Sequence, residues 1–218
     1  VNIRTKIWLR KKKIASYPFM TYLFLIFLLF NPASADISPG DCSNVDGDQV
    51  IKWQADRPLK WKDFKGKTKP TPGFGIATTV TSFHYELLRQ QDEWSIHIDV
   101  IFYCNQSWRH PRYNPPDVLR HEQLHFDISE IYGRKLFKAF REMRGEGRLN
   151  YRNAQRVYNR LYEDFGRYQD IYDDETGAST NGPMQRYWHR KIQRELSELQ
   201  DYKDYSELSN RAAGTTGR

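Results

Sequence analysis

From Trp94 to Cys104 every second residue is apolar. Trp94, Ile96, Ile98, Val100, Phe102 and Cys104 fall on one face, and Ser95, His97 and Asp99 on the other. A period of two is the pattern of a half-buried strand. Ile76 to Leu87, rich in Thr and Val, predicts a partner strand, with Gln90-Gln91-Asp92 as the hairpin loop between them. Gln49 to Trp53 predicts a short first strand, and 65–75 and 105–114 read as loops.

Beyond 114 the period lengthens. Asn114 can cap a helix, Pro115 suits its first position, and Asp117 lies in the first turn where the helix dipole favours an anion. Gly145 and Gly147 mark its end. Gln123, Asp127, Glu130, Arg134, Lys138 and Arg141 form one polar stripe along it, and Asp127 reads as a solvated charge. Val118, Leu119, Leu124, Phe126, Ile128, Ile131, Leu136, Phe137 and Phe140 cover the other sides, so the helix is expected to be buried over most of its circumference. Ala154, Val157, Tyr158, Leu161, Phe165, Tyr168 and Tyr172 recur at helical spacing and predict a second helix over 152–172. After Gly177 and Asn181-Gly182-Pro183 a third runs over 183–199. A small antiparallel sheet followed by three helices is an α+β domain over 49–200. It is preceded by an irregular segment, 36–48, and followed by a polar tail, 201–218.

The first 35 residues have a different character. Arg4, Lys6, Arg10, Lys11, Lys12 and Lys13 precede an apolar run from Phe19 to Phe30 broken only by Thr21 and Tyr22, and Ala33-Ser34-Ala35 stands before Asp36. A basic region, a short apolar run and a small-residue cleavage site predict a signal peptide. The run is shorter than the ~20 residues that span a bilayer, so no membrane anchor is expected once it is cleaved. The exported product is expected in the periplasm or outside the cell. The formal charge of +7 changes meaning accordingly. The segment 1–35 holds six basic and no acidic residues, which leaves 28 basic and 27 acidic residues in the rest. The sequence pI of about 9.3 therefore reflects the leader and gives no footprint for nucleic acid. Cys42 and Cys104 are a candidate disulfide that would pin the N-terminal segment to the end of a strand; the alternative is two free thiols. Neither has a partner at zinc-ligand spacing.

The chemistry concentrates in one place. His121-Glu122-x-x-His125 lies inside the long predicted helix. Residues four apart on a helix point the same way, so both imidazoles can hold one metal ion, and Glu122 can reach a water on it. That is the arrangement of a zinc-dependent hydrolase. With six His in 218 residues the pattern arises by chance on the order of 0.01 times. Both His lie outside the polar stripe, where unpaired imidazoles are costly and a shared metal is the economical partner. His84 and His97 lie in the predicted strands and read as polar-face residues before ligands.

His-Glu-Gln-x-His-Phe-Asp-Ile, residues 121–128, resembles the active-site helix of the bacterial DUF922 family, described as secreted zinc-dependent proteases. Leu59-x-Trp61-x-Asp63-Phe64-x-Gly66 resembles the start of that family, and Tyr172-Asp173-x-Glu175-Thr176, with Gln185 and Trp188, resembles its later segment. The likeness spans most of 53–195 and implies a zincin-like fold, a Zn2+ cofactor and a peptide or protein substrate. One position departs from it. The family has a His two residues after that Thr, and here Ala178 stands there. A catalytic zinc takes three protein ligands. Glu175 and Asp173 are the first candidates for the third, followed by Asp164 and His189. The resulting expectation is a metallopeptidase with His121 and His125 as ligands and Glu122 as general base. Its rivals are a degenerate, non-catalytic envelope protein and a metal-dependent hydrolase of a cell-wall amide.

Overall fold

The structure is a computed structural model that describes residues 41–45, 47–68, 76–90 and 93–205. The predicted signal peptide, the hairpin residues Gln91 and Asp92, and the tail beyond 205 lie outside the described residues. The architecture is α+β: a small antiparallel sheet followed by three helices.

Four strands form the main sheet: β1 (Ser43–Val45), β2 (Asp48–Lys52), β4 (Thr81–Gln90) and β5 (Glu93–Tyr103), in the order β1-β2-β5-β4, all antiparallel. The alternation along β5 does what its period requires, since Ile96, Ile98, Val100 and Phe102 are all buried. Two short strands, β3 (Ala77–Thr78) and β6 (Trp108–Arg109), pair separately. Two expectations are corrected here. The segment 36–48 is not wholly irregular, because β1 forms within it and Gly47, at φ 89°, turns the chain into β2. The strand expected over 76–87 is split, because the Val80 amide donates to the Ser107 hydroxyl (2.9 Å) while its carbonyl alone stays with β5, accepting from the Tyr103 amide (2.9 Å). Cys42 and Cys104 are joined in a disulfide that ties the chain just before β1 to the residue after β5.

Helix α1 (Pro116–Gly145) packs on the sheet and on helices α2 (Tyr151–Thr176) and α3 (Gly182–Glu198), and α2 also reaches the sheet, where Tyr158 and Phe165 meet Phe83. It begins without the expected cap, since Asn114 Oδ1 accepts from Arg109 (2.6 Å) and Pro115 takes the capping position unaided. Its sheet side packs through Phe126 against Phe102 and Phe140 against Tyr85, with Gly133 close to Val100 and the Ser129 hydroxyl donating to Thr81 Oγ1 (2.6 Å). α2 is capped by Asn150, which accepts from the Asn153 amide (2.9 Å). It runs a turn past the expected end at 172, because nothing breaks it before Gly177, which closes it at φ 55°.

The polar stripe of α1 is also corrected. Asp127, Glu130 and Arg134 are buried rather than solvated, each less than a tenth exposed. Asp127 Oδ1 accepts from Trp53 Nε1 (2.9 Å) and Gln123 Nε2 (2.8 Å), and Gln123 Oε1 accepts from the Leu59 amide (2.6 Å). Arg134 donates to Glu130 Oε1 (2.7 Å) and to the Leu196 carbonyl (2.7 Å), and its guanidinium lies over the Trp53 ring. The stripe is covered because the chain past 200 is not a free tail at its start. A 3-10 turn, Gln200–Tyr202, leads to Tyr205, whose hydroxyl donates to Glu130 Oε2 (3.0 Å) and whose ring packs on Phe137. Gly133 makes this possible, because a Cβ there would overlap Val100 and stand 2.9 Å from the Tyr205 hydroxyl. The folded unit therefore extends at least to 205, beyond the expected boundary at 200.

Candidate metal centre

Helix α1 presents His121 and His125 to α2. Their Nε2 atoms are 3.2 Å apart. Asp173 Oδ1, from the last turn of α2, stands 3.1 Å from the first and 3.0 Å from the second. These three are the one His/Cys/Asp/Glu group among the described residues arranged to hold a metal ion. Donors about 2.0–2.2 Å from a tetrahedral ion lie roughly 3.3 Å or slightly more from one another, and the three observed spacings come close to that. Two imidazoles and one carboxylate are a donor set that suits zinc and leaves a fourth position for water or substrate.

The helix extension selects Asp173 from the four candidates. Gln169, Tyr172, Asp173 and Thr176 form the face of α2 turned toward α1. Glu175 is turned aside and accepts from the Trp188 indole (2.8 Å). Asp164 is paired with Arg167 on the same helix. His189 is exposed on α3, outside the cluster. His84 meets the Tyr103 hydroxyl (2.9 Å) and His97 pairs with Asp99, both on the far face of the sheet. Ala178, in the place of the expected family histidine, lies in the turn between α2 and α3 with φ 47°, and its amide donates to the Asp173 carbonyl (3.0 Å).

Around the donors lies a ring of polar groups that sequence reasoning did not assign. Gln169 touches His125 at 2.5 Å, and Gln185 touches His121 at 3.1 Å. The Tyr172 hydroxyl donates to the His121 carbonyl (3.2 Å), and its ring stacks on the His121 ring. One sequence signal for this end of α2 existed. Asp173, Asp174 and Glu175 crowd the C-terminal turn, where the helix dipole disfavours anions, and no basic residue offsets them there.

The electrostatics follow from burial. Desolvation works to lower the pKa of His125, but the Asp173 carboxylate, through its charge and its hydrogen bond, overrides it and holds the imidazole up at about 9. Burial works to raise the Asp173 pKa, and the two histidines hold it well below the usual carboxylate range instead. Without a metal the cluster thus keeps a proton where a cation would stand. Glu122, 4 % exposed, makes no hydrogen bond or ion pair among the described residues. It sits one residue from the first ligand, and its charge acts on the His125 ring.

No family model, no curated protein and no solved structure matches the chain in comparison. Among the described residues no helix is long and apolar enough to cross a membrane.

Proposed function

We propose that the chain is an exported zinc-dependent metallopeptidase, of the kind the likeness to the DUF922 family implies, which hydrolyses a peptide or protein substrate. The observation that carries this reading is the convergence of His121 Nε2, His125 Nε2 and Asp173 Oδ1, at 3.0–3.2 Å from one another, beside the buried carboxylate of Glu122. A zinc ion bound there would acidify a water toward pKa ~7 and polarise the scissile carbonyl. Glu122 accepts the proton of the attacking water and delivers it to the leaving amine nitrogen. Asp173 supplies the third donor that Ala178 does not, which argues against a decayed, non-catalytic site. The disulfide between Cys42 and Cys104 supports export to an oxidising compartment.

The test is Glu122→Gln in the full chain. It is expected to keep its zinc and to lose peptide hydrolysis by 10²–10⁴-fold, the range for a general base. Undiminished hydrolysis sinks the mechanism, and a wild-type protein that holds zinc yet cleaves no peptide favours the non-catalytic rival.

A further inference from the structure

We propose that Gln169 and Gln185 are the positioning residues of this centre. Each holds one histidine as its Nδ1–H tautomer, so that both Nε2 lone pairs face the metal position. As neutral amides they do so without adding charge to the rings. The inference rests on the metal reading above and adds the residues that prepare the ligands.

It follows from matching donors to acceptors. Gln169 Nε2 donates to the His125 backbone carbonyl (3.0 Å), which can only accept. The other end of that amide, Oε1, is therefore the atom 2.5 Å from His125 Nδ1, and the ring nitrogen must be the donor. The second chain is longer. The Tyr172 hydroxyl spends its one proton on the His121 carbonyl (3.2 Å), so it accepts from Gln185 Nε2 (2.6 Å). Gln185 Oε1 then faces His121 Nδ1 (3.1 Å) and accepts its N–H. Thr176 gives an independent check. Its hydroxyl donates to the Tyr172 carbonyl (2.6 Å), so its oxygen, 3.5 Å from His121 Nδ1, is a second acceptor for the same proton. With both Nδ1 atoms protonated, the two Nε2 lone pairs and Asp173 Oδ1 point at one another with no proton between them. Only a cation, or an added proton, relieves that arrangement.

The locks come from helices outside the His-Glu-x-x-His motif: Gln169 from α2 and Gln185 from α3. Their chemistry has a direction. A carboxylate facing Nδ1–H would draw its proton, make the imidazole a stronger ligand, and leave the metal a weaker Lewis acid. A carboxamide fixes the ring and leaves it neutral. Replacing Gln by a similar-sized apolar residue and replacing it by Glu should therefore act in opposite directions on metal affinity.

The experiment uses the full chain, stripped of metal and titrated with Co2+ against a chromophoric chelator, with the fold of each variant checked by circular dichroism. Wild type is expected to bind one equivalent. Gln169→Met and Gln185→Met are each expected to bind 10–100-fold more weakly. Gln169→Glu is expected to bind at least as tightly as wild type. A second measurement needs no variant: a long-range 1H–15N spectrum of the imidazoles in the zinc-loaded wild type should show protonated Nδ1 and unprotonated Nε2 on both rings. Met variants that bind cobalt like wild type, a Glu variant weakened as much as the Met variant, or a protonated Nε2 on either ring overturns the lock and leaves the metal reading standing. A wild type that binds no cobalt overturns both.

Discussion

Helix α1 carries two buried polar clusters, and they are built on opposite principles. Along the stripe of Gln123, Asp127, Glu130 and Arg134, the strong groups are matched. The Asp127 carboxylate has Trp53 and Gln123 as donors, and Glu130 has Arg134 and Tyr205. Arg134 has Glu130, the Leu196 carbonyl and the Trp53 ring. On the α2 side, His121, His125 and Asp173 bring three electron pairs together, and Glu122 makes no hydrogen bond or ion pair among the described residues. Burial of polar side chains is thus common to both clusters and distinguishes neither. What separates them is the balance of donors and acceptors: the stripe is closed, and the histidine cluster has a surplus of lone pairs that calls for a cation.

This contrast is open to being broken from either side. The largest effect on stability is expected at Arg134. Arg134→Met leaves Glu130 buried without its cation and should cost about 3–5 kcal/mol at pH 8 by chemical denaturation. At pH 5 the loss should shrink, because Glu130 can then take up a proton. Zinc content should be unchanged in the folded fraction. Glu122→Gln is the mirror case, expected to cut hydrolysis 10²–10⁴-fold while leaving stability nearly unchanged, since no hydrogen bond or ion pair among the described residues is lost. A smaller effect comes from pH alone. Burial pushes the Glu130 carboxyl up to about 7 despite the opposing Arg134 and Tyr205 bonds, against an unfolded value near 4.5. The folded state then binds the extra proton, so this group's contribution is complete below pH ~4.5 and is lost as pH rises through about 7, by up to about 3 kcal/mol. Denaturant titrations between pH 4.5 and 7.5 should show that slope in wild type and a flatter one in Glu130→Gln. Equal slopes would mean that the stripe does not carry the buried proton.

The same contrast explains which parts of the molecule could be read from sequence. The alternation of β5 and the spacing of His121 and His125 are local patterns, and local patterns suffice for a strand face or a helix face. The stripe misleads because periodicity reports only that Asp127, Glu130 and Arg134 share a side. It cannot report that Trp53, Leu59 and Tyr205, distant in sequence, come to cover that side. Asp173 and Glu175 could not be separated for a related reason. Their roles depend on α2 continuing to Thr176 and on its exact rotation against α1. Gln169 gave no sequence signal beyond being one polar residue in an amphipathic helix. Its meaning appears only when its two amide ends are matched to Nδ1 and the carbonyl of His125.

The most direct test of the central contrast is zinc binding by the metal-stripped full chain, measured by calorimetric titration beside three variants. One equivalent is expected for wild type and for Arg134→Met, and none at comparable affinity for His125→Ala or Asp173→Ala. Failure of the wild type to bind zinc, or binding that survives Asp173→Ala undiminished, would contradict the assignment of His121, His125 and Asp173 as the metal centre.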